Sequence, residues 1–111
     1  MSIASVALLA QTDAVLDEVA RERARQETKG EEHRARGQEH WRSCADPLLP
    51  EARKLAVLLE EVGEVAHAMN EEWIGQDANL REELIHVAAV AVAWAESLIP
   101  STPHGEAGPR A

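Results

Sequence analysis

The stretch "LLEEVGEVAHAMNEE", residues 58–72, decides the fold, together with "LREELIHVAAVAVAWAESL", residues 80–98. In the first, Leu55, Leu58, Leu59, Val62, Val65, Ala66 and Met69 recur at intervals of three and four, the spacing of one helical face. The spacing predicts a helix from about Glu51 to Glu72. In the second, apolar residues run almost all round the wheel, which predicts a helix to about Leu98 that is covered on several sides. Asn79 followed by Glu82 has the form of a capping arrangement for it. One chain supplies too few helices to cover such an element, so a homodimer or homotetramer is expected to complete the bundle.

Working outward, a further helix is expected from about Ile3 into the low twenties, with Val6, Leu9, Leu16, Val19 and Ala20 on one face. The charged "RERARQETKGEEHRARGQEHWR" either continues it or forms a substrate-facing loop, since Gly30 and Gly37 weaken a helix there. "ADPLLPE" reads as a turn, with Pro50 just inside the next helix. "PSTPHGEAGPRA", residues 100–111, is rich in breakers and reads as a flexible tail. These elements make one all-α domain over residues 1–111.

Composition agrees. The chain has 111 residues, 45% apolar, with no Phe or Tyr and three Trp, so packing rests on Ala, Val, Leu and Ile. The formal charge of −9 argues against a nucleic-acid polymer as partner. Seven of the eleven basic residues nevertheless lie between Arg21 and Arg42, while twelve acids lie beyond residue 43. Such a division suits metal ions on one side and phosphates on the other. A single cysteine, Cys44, allows no intrachain disulfide. No apolar run is long enough to span a bilayer, and a cytoplasmic location is expected.

The chemistry lies in the acids. Glu61 falls on the flank of the second helix with Val57 and Ala68, and Glu64 about 60° further round. Glu60 points to the exposed side. Glu83 and His86 share a flank of the third helix with Val90, Ala93 and Ser97. If the two flanks face each other, the half-buried carboxylates repel and lose hydration, and a divalent cation would compensate. Oxygen-rich ligands suit Mg²⁺ or Mn²⁺, ions that often accompany phosphate substrates. Glu is also a good helix former, and solvated Glu clusters are common.

"EEVGEVAHAMNE" followed by "LREELIHVAAVAVAW" resembles the MazG-like branch of the all-α nucleoside triphosphate pyrophosphohydrolases, with an E-E-x-x-E on one helix and an E-x-x-D on the next. Glu60, Glu61 and Glu64 match the first motif, and Glu83 opens the second. "RARQETKG" resembles the R-Q-x-x-K-W-G-like segment of phage-type members at Arg25, Gln26, Lys29 and Gly30, without the Trp. The resemblance implies a helical bundle completed by homo-oligomerisation. It also implies hydrolysis of a (deoxy)nucleoside triphosphate, with a leaning to purine dNTPs such as dGTP or dATP, to monophosphate and pyrophosphate. Two or three Mg²⁺ or Mn²⁺ ions per site are implied, with Glu60, Glu61, Glu64 and Glu83 as ligands. Glu60 and Glu61 are the implied catalytic residues, Glu60 being a further ligand or the group that orients or deprotonates water. Arg25, Gln26, Lys29 and Lys54 are the substrate-binding candidates, and Trp41 or Trp73 are candidates for stacking on a base.

Two departures stand out. His86 replaces the motif's Asp and reads as an alternative ligand, a partner of a ligating carboxylate, or a packed core histidine. The basic, Asn-bearing segment that many relatives carry after the second motif is missing. Two other classes stay open. Glu83 and His86 spell E-x-x-H, the motif of di-metal carboxylate helical-bundle oxidoreductases, and the chain also suits a non-catalytic helical dimerisation module.

Overall fold

A computed structural model describes residues 2–38, 42–76 and 78–100. Among them are three helices and no strand: α1 (Ile3–Ala35), α2 (Glu51–Trp73) and α3 (Leu80–Ser97). The all-α expectation holds. Trp41 and residues 101–111, most of the expected tail, lie outside the described residues.

The charged stretch is helix as far as Ala35, and α1 runs unbroken through Gly30. Neighbouring side chains support it, Arg23 pairing with Glu27 one turn on and Arg25 with Glu22 one turn back. Ser2 caps the start, its hydroxyl accepting from the Ser5 amide. Gly37 ends the helix. It adopts φ +90°, its N–H donates to Arg34 and that of Gln38 to His33, the paired bonds of a left-handed C-terminal cap. Gly75, at φ +83°, ends α2 the same way, through Glu72 and, from Gln76, Glu71. Two expected N-caps differ. Pro50 occupies the cap position of α2 and not its first turn, and Asn79 caps α3 without a side-chain hydrogen bond.

α2 and α3 form an antiparallel hairpin, and α1 packs on α3 without a close backbone approach to α2. Two ion pairs clamp α1 to α3. Arg81 donates to Glu18 at 2.8 Å, and Arg23 donates to Glu96 at 2.9 Å. Five residues apart on α1, these ties are fifteen apart on α3, about 8 Å against about 22 Å of rise, so the helices cross steeply. Ala89 and Ala93, buried on α3, keep its surface shallow enough for close approach.

A small core gathers Cys44, Val90 and Ala93, with Ala45, Leu49, Val57 and Leu58 packed against it. The turn after α1 thus supplies the plug under the hairpin. Lys54 is also fully buried, its ammonium donating to the Ser97 hydroxyl at 2.7 Å and reaching Glu51 at 3.5 Å. Trp94, half-buried, donates its indole N–H to Glu51.

The side of α2 that meets α3 is not the one the spacing favours. Lys54, Val57, Leu58, Glu61, Val65, Ala68 and Glu71 are the buried or half-buried residues of α2, whereas Leu55, Leu59, Val62 and Met69 are exposed. Glu61 lies within the inner face, not at its edge. No helix among the described residues is long and apolar enough to cross a membrane.

Candidate metal and phosphate site

The antiparallel hairpin sets Glu61 of α2 opposite Glu83 and His86, one turn apart on α3. One ligand atom from each lies within 4.8 Å of the others, and all three residues are half-buried. The imidazole sits among the acids. Its Nδ1 is 3.4 Å from Glu83 and 4.0 Å from Glu61, and its Nε2 is 3.7 Å from Glu22 of α1.

Glu22 was not singled out by the sequence. Its side chain is only 10% exposed, and Arg25 grips both of its oxygens, at 2.8 and 2.6 Å. The signal lay in the spacing. Glu18, Glu22, Arg25, Lys29 and His33 follow one another at three and four along α1, a polar stripe where an amphipathic helix would carry its apolar face.

Electrostatics mark the centre of the cluster. Burial pushes the Glu61 carboxyl above its ordinary value; His86 opposes this, while Glu83, Glu64 and Glu22 add to it by repulsion. Glu22 moves the other way: the Arg25 hydrogen bonds hold it below the ordinary range against a smaller penalty from burial. The Glu61 charge is thus poorly compensated. A cation placed there would gain most.

The cluster opens into a cavity of about 480 Å³, within the range of small-molecule sites. Glu22, Glu60, Glu61 and His86 form its acidic wall, and Arg25, Gln26, Lys29, His33 and Arg42 its opposite, largely basic side. Ser43, Cys44, Val57 and Val90 also line it. A second cavity, about 620 Å³, lies across a shared partition of Glu22, Arg25 and His86, between Arg21, Glu72, Asn79 and Arg81. The smaller cavity alone contains Glu61 and the basic stripe together.

The sequence-selected residues therefore divide. Glu61 and Glu83 converge, with His86 placed among the acids instead of in an apolar core. Glu60 is on the cavity rim, and Glu64, exposed on the same helix, acts on Glu61 through its charge. Arg25, Gln26 and Lys29 line the cavity, and Arg42, not selected beforehand, joins them. Lys54 does not: wholly buried against Ser97, it has no surface to offer a substrate. Trp73 is 88% exposed and lines neither cavity. Burial raises the Cys44 thiol pKa, with Lys54 and Arg23 pulling against it, so the sulfur is kept as a thiol and not poised as a nucleophile.

The donor set fits a divalent cation. Two carboxylates and one imidazole satisfy Mn²⁺ more readily than Mg²⁺, which prefers oxygen alone. Glu22, on the far ring nitrogen of His86, stands where a carboxylate orients a ligating histidine. Comparisons with protein-family models, with curated proteins and with solved structures give no match for this chain.

Proposed function

We propose that this cavity hydrolyses (deoxy)nucleoside triphosphates to the monophosphate and pyrophosphate in a metal-dependent reaction. The observation that carries the reading is that Glu61 and His86, which form a candidate ligand group with Glu83, line one cavity together with Arg25, Lys29 and Arg42. A triphosphate needs both: cationic side chains for its outer oxygens and a cation for the charge that develops at the bond being broken.

Glu61, Glu83 and His86 would hold the ion, and Glu64, whose charge acts on Glu61, is the candidate to serve a second. Bound Mn²⁺ or Mg²⁺ supplies charge neutralisation and a more acidic water. Glu22 keeps the His86 ring turned so that Nδ1 faces the carboxylates, and Arg25 keeps Glu22 in place. Lys29, Arg42 and the outer nitrogens of Arg25 bind phosphate oxygens, and Gln26 offers a neutral donor and acceptor beside them. Glu60, exposed on the rim, is the base available to a water entering from solvent. Purine deoxynucleotides are the substrates to try first, a preference drawn from the motif resemblance.

The test is a product assay across the dNTPs and NTPs with Mn²⁺ and then Mg²⁺, resolving nucleotide from pyrophosphate, with Glu61→Ala as control. Monophosphate plus pyrophosphate, lost in the control, supports the reading. No turnover of any nucleotide sinks it.

A second reading has one observation in its favour. Glu83 and His86 in E-x-x-H spacing, with single glutamates from α1 and α2, resemble a di-metal carboxylate centre that lacks its second E-x-x-H motif. The basic wall has no task in that chemistry. Iron retained through purification, with an oxygen-dependent absorption band, would favour it.

A further inference from the structure

We propose that His33 is the proton-carrying contact of the basic wall: it holds phosphate oxygens as an imidazolium, so that the anion and a proton bind together. The inference rests on the nucleotide reading above and adds to it a residue and a pH dependence.

His33 is half-buried and lies one turn beyond Lys29 on the polar stripe of α1, lining the same cavity as Glu61 and His86. Its ring is held in a way that the other basic side chains are not. Gly37, at φ +90°, turns the chain back after the last turn of α1, and Gln38 comes to lie beside His33. Two bonds join the pair. The Gln38 N–H donates to the His33 carbonyl at 3.0 Å, and the Gln38 carboxamide oxygen meets Nδ1 of the ring. Ending the helix needs only the first of these. The second fixes the imidazole. A carboxamide oxygen can only accept, so Nδ1 carries the hydrogen and the neutral ring has its lone pair on Nε2. A proton added to this ring therefore goes to Nε2, at the edge away from Gln38.

The charges facing the ring come from every element around the cavity. Arg25 and Lys29 lie on its own helix, Arg42 and the Cys44 thiol in the turn, Glu60 and Glu61 on α2, and His86 on α3. Guanidinium and ammonium groups keep their charge across the neutral range, whereas an imidazole changes its charge there. His86, the cavity's other imidazole, stands among Glu22, Glu61 and Glu83. His33 is the imidazole on the cationic side. A phosphate oxygen brought within about 4–6 Å favours the charged ring. Binding then draws a proton from solvent onto Nε2, and that N–H donates to the oxygen as a charge-assisted hydrogen bond. Affinity is full where the ring is already charged and is lost as pH rises through the neutral range.

The probe is inorganic tripolyphosphate, titrated calorimetrically into the metal-free full chain at about pH 7.5 in two buffers of different ionisation enthalpy. The difference between buffers counts the protons taken up. Wild type is expected to take up on the order of half a proton more per anion than His33→Gln. The ligand's own protons are common to both proteins and cancel. At about pH 6.5 wild type is expected to bind roughly tenfold more tightly than the variant, the two converging by about pH 8.5. Binding with equal proton uptake by both proteins overturns the proposal and leaves the nucleotide reading standing. No binding of tripolyphosphate, alone or with Mn²⁺, overturns both. Should His33→Gln fail to fold, nitrogen NMR of the wild-type histidines decides. The His33 ring is expected to pass from the neutral Nδ1–H pattern to the imidazolium pattern when tripolyphosphate is added. A ring that the anion leaves unchanged overturns the proposal.

Discussion

Two faces of α2 invert the usual distribution. The face against α3 holds a fully buried lysine and a half-buried glutamate, Lys54 and Glu61, among Val57, Leu58, Val65 and Ala68. The face turned to water holds Leu55, Leu59, Val62, Met69 and Trp73. A helix stabilised only by its own hairpin would place these the other way round. The inner charges cost desolvation and the outer side chains forgo burial. Within the chain, Lys54 meets Ser97 and Glu51, while Glu61 stays among other acids with only the His86 imidazole to oppose their repulsion.

The largest expected effect tests the inner face at Lys54. Lys54→Ala is expected to cost roughly 3 kcal/mol, by opening a cavity and leaving Ser97 without its donor. Lys54→Met keeps the length and drops the charge, and is expected to cost less than Lys54→Ala, since it fills the cavity and forgoes only the contacts to Ser97 and Glu51. Urea unfolding of both separates the two contributions. If Lys54→Met is as unstable as Lys54→Ala, the ammonium itself holds the turn to α3.

Next comes Glu61. Glu61→Ala is expected to lower nucleotide hydrolysis at least about 100-fold while leaving the metal-free protein no less stable, since the lost carboxylate was repelled by its neighbours. Activity and thermal unfolding measured together check both halves. A destabilised, fully active variant would make the inner face merely structural.

A smaller effect is expected at Glu22, which touches the cluster only through His86. Glu22→Gln should weaken Mn²⁺ binding roughly tenfold, with the metal-free fold retained. Calorimetric titration of Mn²⁺ into the two proteins reads this directly.

The smallest is a matter of pH. Arg23 holds Glu96 below its ordinary value of 4.5, so the stability from this pair is present above that value and is lost as pH falls through the folded pKa. Glu61 is raised above 4.5, so the opposite holds: the folded state loses stability as pH rises from that value through the folded pKa. Arg23→Gln is expected to cost about 1 kcal/mol near neutrality and to flatten the acid limb. Glu61→Gln should flatten the rise on the other side. Unfolding curves from about pH 3 to pH 7 resolve them.

Much of this was legible beforehand, and the gaps have physical causes. Periodicity located α2 and α3 to within a residue or two, and the paired helices bring Glu61, Glu83 and His86 together. It could not say which flank of α2 points inward, because apolar residues run along both, and the bulkier row drew attention to the side that faces water. Gly37 read as a weakness in α1, yet it closes the helix, since a left-handed turn there needs no Cβ. Lys54 read as a phosphate ligand from its charge alone. Only the depth of the Ser97 contact shows that it is sealed inside. Glu22 was hidden by the arginines around it, one of which turns out to be its partner.

α1 and α2 each rest on α3 and not on each other, which gives the molecule the mechanics of a jaw. α3 is the base, and the cavity draws Glu22 and the basic stripe from one arm, Glu60 and Glu61 from the other, and His86 from the base. The backbones of the arms do not approach closely, so their angle is set by the α1–α3 clamps at Arg23 and Arg81 and by the turn packed under the hairpin. An anion bridging the arms would act as a clasp. It would stiffen the molecule over distances far greater than its own size.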